Sequence, residues 1–308
     1  MSVSAPVRRS GGAYSPAARH RRQTLIAWGF AAPFVVLFLV FLAGPIVSSL
    51  LMSFTDMTTR DLRNPLAVDF VGFENYVTLF TDQKFLRALQ NTVVFVVFGV
   101  PLTMGLALLL ALALNTGITR FRTVFRVGYY APVVTSIVAI AIVWRFILQP
   151  DGLLNVFLGW FGVQGPDWLQ STGWAMPSLI LMAVWRNIGT LMVIFLAALQ
   201  GVPREQHEAA MVDGAGVLAR FRYVTLPELR PAMLFAAVIT GIGFLQFFEE
   251  PFVMTRGGPL DSTLSSAFFT FNQFGFGNYA YAAASSYVLF LVIVLLTLLQ
   301  FRLLRRKD

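Results

Sequence analysis

Apolar residues in this chain neither alternate nor recur on one helical face; they come in long unbroken runs. Six of these, at 25–53, 91–114, 124–148, 173–199, 232–250 and 280–301, meet the roughly 20 residues a helix needs to cross hydrocarbon. The stretch from Thr92 to Leu114 carries no charge at all. Strands of a membrane barrel would instead switch character at every second residue. The pattern therefore predicts an all-α membrane protein with six transmembrane helices. The first run follows a basic tail, but it is too long for a signal-peptide core. It ends in Gly44-Pro45 without a small-residue cleavage site, so it reads as a retained helix.

Composition agrees and removes several function classes. With 57% hydrophobic and only 12% charged residues among 308, the chain cannot hide its apolar side chains in one soluble core. The net charge of +8 is gathered in the tails and in loops bordering the runs, which leaves no basic stripe for nucleic acid. Without cysteine there is no disulfide, thiolate metal site or cysteine nucleophile. His20 and His207, the two histidines, both fall outside the runs, and no nucleophile and base come together. The chain reads as a non-enzyme with no metal site. It has no Gly-rich phosphate loop ending in Lys-Ser/Thr, so any nucleotide must be bound by another chain.

Charge also sets orientation. If the amino-terminal tail is cytoplasmic, that side collects Arg8, Arg9, Arg19, Arg21 and Arg22, then Arg120, Arg122 and Arg126, then Arg204, Arg220, Arg222 and Arg230, and finally Arg302, Arg305, Arg306 and Lys307. These are sixteen of the 23 basic residues. Arg60, Arg63, Lys84, Arg87 and Arg256 fall on the other side, and Arg145 and Arg186 lie within or at the edge of runs. Basic loops stay inside, so both termini are expected in the cytoplasm. The expected organisation is a basic cytoplasmic tail at 1–24, a first span at 25–53, an extracytoplasmic segment at 54–90, a five-helix core at 91–302 and a second basic tail at 303–308. Within 54–90, the apolar positions Tyr76, Leu79, Phe80, Phe85, Leu86 and Leu89 suit either an interfacial helix or packing against the core. The 149–172 loop reads as a turn, a short helix and an aromatic belt with Trp160 and Trp168.

The loop between the fourth and fifth runs, 201–231, is far longer than an antiparallel helix pair needs. Pro203 suits a first helical turn, Glu205 and Glu208 suit its positive end, and Gly214 suits its stop. A second short helix is expected from Val217 to about Tyr223, closed by Leu226-Pro227 and Pro231. The small residues Ala209, Ala210, Gly214 and Ala215 would let another protein approach closely.

Glu208-Ala209-Ala210, Gly214, Val224 and Leu226-Pro227, with Asp213 beside the glycine, resemble the Glu-Ala-Ala loop of binding-protein-dependent ABC importers; Val224 stands where that pattern has Ile. Thr255-Arg256-Gly257-Gly258-Pro259 and Ser262-Thr263, preceded by Phe247-Phe248-Glu249-Glu250, are similar to a stretch of MalF/UgpA-like sugar permeases, as are Phe274 to Ala284 and Leu299-Gln300-Phe301-Arg302. Two positions depart: Arg256 stands where that group has a Gly, and Glu249-Glu250 doubles an acid. The resemblance implies the type I ABC importer permease fold in the bacterial inner membrane. It implies a second permease subunit, an ABC ATPase dimer holding ATP and Mg, and an extracytoplasmic solute-binding protein as partners. In that group the loop is the coupling element that docks on the ATPase. The implied solute is a carbohydrate or a glycerol-phosphate-like compound. An importer for another polar solute such as an amino acid stays open, and so, more distantly, does a secondary transporter, which should show duplicated spans with paired broken helices.

An ionisable residue inside a span costs about 3 kcal/mol and faces a cavity or a partner. Arg186, between Trp185 and Asn187, and Glu249 with Glu250 meet that description. Trp185 could stack on a sugar face while Asn187, Gln246 and the acids bond to hydroxyls. Arg186 could equally pair with an acid on a neighbouring helix or subunit and hold the bundle together.

Overall fold

A computed structural model describes residues 16–64, 68–116 and 122–304. The outermost parts of both basic tails, Arg8, Arg9, Arg120, Arg305, Arg306 and Lys307 lie outside the described residues. The structure divides into two compact units, 1–51 and 52–308. Almost all of it is helical; among the described residues the only β pairing is an isolated antiparallel bridge between Thr55 and Phe70.

In the first unit, α1 (Pro16–Phe38) runs into a π turn (Leu39–Ala43) and then α2 (Gly44–Met52). The wide turn has a local cause. Pro45 has no N–H to return to the preceding turn, and Gly44 donates to the carbonyl of Leu39, five residues back.

Four stretches are long and apolar enough to cross a membrane: Gln23–Met52, Gln83–Asn115, Ala175–Gln200 and Tyr279–Leu303. They belong to the first unit's rod and to α4 (Gln83–Thr116), α8 (Ala175–Gln200) and α14 (Tyr279–Leu304). Two more runs qualify only as bent pairs. The run at 124–148 is not one helix: α5 (Arg122–Val134) and α6 (Ile137–Ile147) meet at 100°, with Ser136 out of helical geometry at ψ 125° between them. Pro132 removes one backbone donor just before the break. The run at 232–250 is shorter than its apolar composition suggests, because α12 (Arg230–Leu245) stops at Gln246. Glu249 and Glu250 sit beyond that stop, ahead of a π turn at Pro251–Thr255.

Helices α4 and α8 form the most extensive pairing, with α12 and α5 against them and α14 behind α12. One buried cluster joins Phe95 and Val96 with Leu179, Met182, Ala183, Phe244 and Phe247; the rings of Phe95 and Phe247 stack with centroids 3.9 Å apart. A second joins Ala107, Ala111, Leu191, Met192, Phe195 and Leu229. Small residues let these backbones close up. A Cβ at Gly189 would overlap the Tyr129 carbonyl, so the α5 and α8 contact requires glycine there.

The segment after the first span packs as part of the second unit. Leu79 and Phe85, on α3 (Glu74–Thr81) and the start of α4, are fully buried against Leu264, Phe268 and Phe269, which selects packing over an interfacial position. Phe268 and Phe269 lie on α13 (Ser266–Gly275). Asp82 accepts a hydrogen bond from the Tyr281 hydroxyl at 3.0 Å, tying the segment to α14. The 149–172 loop holds the expected short helix, α7 (Leu153–Trp160). Trp160 is exposed, but Trp168 turns inward and donates to Asn155 at 2.7 Å.

Candidate functional site

The residues singled out from the sequence fall in two places. The first is the 201–231 loop. Pro203 caps α9 (Arg204–Val212), with Glu205 in its first turn. Gly214 ends it at φ +77°, donating to Met211 at 3.0 Å, while Ala215 donates to Ala210 at 2.9 Å. That pair of bonds is the glycine-terminated C-cap in which a left-handed residue satisfies the last carbonyls.

α10 (Val217–Arg220) follows, but the helix does not close at Leu226-Pro227 as expected. A π turn (Phe221–Thr225) takes in one extra residue, Leu226 donates back to Phe221, and α11 (Leu226–Glu228) continues the rod. The widened turn accommodates Pro227, whose ring a regular α-turn would drive into a carbonyl. The break comes at Leu229, where Val217–Glu228 and Arg230–Leu245 meet at 65°. Leu229 is wholly buried and anchors the corner.

Glu208, Ala209, Asp213 and Gly214 are exposed, and Ala210, Val224, Leu226 and Pro227 are half-buried. Around them Met211, Val212, Val217, Leu218 and Tyr223 hold large apolar side chains in the open, Val212 at 88%. Among the described residues, no side-chain hydrogen bond holds 201–229. Sequence reading singled out the small residues but missed this apolar rim. Its signal was present in the pairs Met211-Val212 and Val217-Leu218 flanking the glycine.

The second place is a cavity of about 270 Å³ between α8 and the end of α12. It gathers Arg186, Asn187, Gln246, Glu249 and Glu250, with Thr190 and Thr240 adding hydroxyls and Phe244 and Phe247 an apolar wall. Thr190 follows Arg186 by one helical turn and so shares its face; that spacing was readable. Glu250 is 5% exposed, and its Oε2 and the Arg186 Nε are both buried without a hydrogen-bond partner. Among the described residues no carboxylate lies within ion-pair distance of Arg186. The arrangement offers a donor-only cation, an acceptor carboxylate and neutral amide and hydroxyl groups to whatever enters. It has the makings of a hydrogen-bonding site.

Trp185 does not join them. Consecutive helical residues point about 100° apart, and Trp185 lies on another face of α8. It packs against Trp144 at 5.7 Å in an apolar recess with Gly128, Pro132 and Ile140.

Residues 84–307 match the family model described as "Binding-protein-dependent transport system inner membrane component". Curated relatives include the lactose transport system permease protein LacF of Rhizobium radiobacter, 38% identical over 91% of this chain and 94% of that one. Arabinooligosaccharides transport system permease protein AraP of Halalkalibacterium halodurans is 33% identical over 90% and 87%. Sulfoquinovosyl glycerol transport system permease protein SmoG of Agrobacterium fabrum is 32% identical over 92% of each. Among solved structures, a chain of a bacterial alginate ABC transporter in complex with its alginate pentasaccharide-bound periplasmic protein superposes with a TM-score of 0.77. That likeness covers 94% of this chain and 96% of the other at 24% identity, and it bears on the fold. The six apolar runs, the exposed glycine-capped loop between α8 and α12, and a family match over more than two thirds of the sequence lead to one assignment: this chain belongs to the inner membrane components of binding-protein-dependent transport systems.

Proposed function

We propose that this chain is the permease subunit of an ATP-driven importer for a saccharide or a glycerol-linked saccharide, forming half of the translocation pathway. The class of solute rests on relatives named for lactose, arabinooligosaccharide and sulfoquinovosyl glycerol transport. The site reading rests on one observation: Arg186 and Glu250 line a cavity between two apolar helices, and each also carries a buried polar atom without a hydrogen-bond partner. Such groups are costly in a membrane unless a ligand or water satisfies them. A polyol can bridge them, because each hydroxyl both donates and accepts. Both termini and the 201–231 loop then face the cytoplasm, and the cavity opens toward solute arriving from the other side. ATP and Mg belong to the ATPase partner, and no cofactor is assigned to this chain.

In this reading the exposed face of α9 and α10, from Glu208 to Gly214 with Met211, Val212, Val217 and Leu218 around it, docks in a cleft of the ATPase. Val224 and Leu226-Pro227 fix the loop to α12. Closure of the ATPase dimer moves the loop, whose 217–228 rod runs unbroken through the π turn, and the motion reaches the cavity along α12.

The test is ATPase activity of the reconstituted complex with a panel of saccharides and glycosyl glycerols, for the wild type and for Gly214→Pro and Arg186→Leu. Stimulation by a saccharide should disappear in Gly214→Pro while the complex still assembles, because proline cannot adopt φ +77° or donate to Met211. Arg186→Leu should lose stimulation but keep basal hydrolysis. Uptake that survives Gly214→Pro would sink the coupling assignment.

A further inference from the structure

A second polar pocket lies at the other end of α8 from the loop, about 39 Å away by the rise of its 26 residues. It has a volume of about 310 Å³ and is built from three segments: the end of α6 with Arg145 and, just beyond it, Gln149, the 167–170 stretch with Asp167 and Trp168, and the turn at 254–259 with Arg256. Its walls are fixed. Trp168 is held by Asn155, and its carbonyl accepts from Ser178 at 3.1 Å. Thr255 and Thr263 share a hydroxyl hydrogen bond of 2.7 Å, and Thr263 donates to the Gly258 carbonyl at 2.9 Å.

Set in this rigid frame are two exposed guanidinium groups. Among the described residues neither Arg145 nor Arg256 has a carboxylate within ion-pair distance, although Asp167 shares the rim. Arg256 is held in the left-handed region at φ +53°, and Leu260 and Asp261 follow at +50° and +56°. A side chain pays for that conformation, and strain of this kind concentrates where a surface has a task. Leu260 is 85% exposed, so the same turn presents an apolar knob beside the two cations. The next residue, Asp261, is paired with Lys84 at 3.8 Å, so the turn sets an exposed apolar side chain among charged groups, a composition that suits a protein-docking surface.

We infer that Arg145, Arg256 and Leu260 form a docking point for the solute-binding protein, whose surface places a carboxylate side chain in this pocket. The assignment rests on the importer reading above, which puts this end of α8 on the outer side. The binding-protein-dependent family supplies the partner, and charge complementarity sets what it presents: two guanidinium groups lining one pocket favour a carboxylate, and a bidentate fit adds direction as well as attraction.

The experiment measures binding of the cognate, solute-loaded binding protein to the complete transporter in nanodiscs, at low and at high salt. For the wild type the Kd should rise steeply with salt. Arg256→Glu and Arg145→Glu should each raise the low-salt Kd by about tenfold or more, chiefly through a slower on-rate, and flatten the salt dependence. Arg256→Lys should stay within about threefold, and Leu260→Ala should weaken binding without altering the salt slope. Basal ATPase without binding protein should not change in any of them. An unchanged Kd in both charge reversals overturns the docking point. If solute-stimulated ATPase nevertheless falls for acidic solutes alone, the pocket reads an anion on the solute instead, which also overturns it. A wild-type complex that binds no solute-binding protein would remove the importer reading itself, and the docking point with it.

Discussion

The two ends of α8 are finished by opposite means. At its carboxyl end the 201–229 loop is held by backbone hydrogen bonds, a glycine cap and one buried leucine, with its apolar side chains left in the open. At its amino end the chain from Thr255 to Ser285 is stitched by side chains. Thr255, Thr263, Ser265 and Thr270 all bond locally, the last also to Ser285, while Asn91 of α4 reaches across to the carbonyls of Asp261 and Leu264 at 2.8 and 2.9 Å. The stitched end keeps its shape alone. The open end has surface that only a partner can bury, and its cohesion is confined to a short rod. A site that must recognise a small group needs the first construction; a site that must move as a unit under load suits the second.

The contrast predicts that damage at the stitched end appears as lost stability and damage at the open end as lost coupling. Asn91→Leu should cost most, about 3 kcal/mol, because one buried and one part-buried carbonyl lose their donor; thermal unfolding of the purified protein reads it. Thr263→Val removes the hydroxyl shared by Thr255 and Gly258 and should cost about 2 kcal/mol by the same measurement. Gly214→Ala should cost about 1 kcal/mol, the penalty for a Cβ at φ +77°, and should reduce solute-stimulated ATPase further than the stability loss explains. Replacing Met211, Val212, Val217 and Leu218 together with Ser should leave unfolding within about 1 kcal/mol of wild type yet abolish stimulation, since exposed substitutions barely affect the isolated fold. If that quartet unfolds the protein as readily as Asn91→Leu, the two ends are not different in kind.

The smallest effect concerns pH. Asp61 accepts from the Thr58 backbone at 2.8 Å and from its hydroxyl at 2.9 Å, and these bonds, first the backbone one, hold its carboxyl below the ordinary value. A depressed carboxylate stabilises the turn above its unfolded pKa and loses that contribution as pH falls through the folded one. The turn at 59–63 should therefore be unchanged from neutral pH down to the ordinary carboxylate range and loosen below it, and Asp61→Asn should abolish that dependence. Amide exchange at Thr58 would follow both.

Much of this was legible because hydropathy and punctuation act locally. The charge-free run from Thr92 to Leu114 could hardly be anything but a buried or membrane helix, and Pro203, the glutamates and Gly214 marked α9 from end to end. The bend at Ser136 and the stop at Gln246 were not legible, since an apolar run reports on its solvent and says little about whether its backbone is continuous. The partition of Trp185 from Arg186 could have been read from helical geometry. The left-handed Arg256 left only an indirect signal: nothing in its side chain asks for that conformation, but it stands where the similar permeases have Gly, the residue that takes positive φ most readily.

The π turn at Phe221–Thr225 also sets an angular phase. One residue too many for a regular turn leaves everything before it rotated by about 100° relative to everything after it. The direction in which Glu208 to Gly214 faces is thus fixed by a count of residues. Deleting a single position from Phe221–Thr225 would take out the extra residue, press the Pro227 ring toward the carbonyl that the wide turn now clears, and aim the apolar rim a quarter turn away from any partner waiting for it.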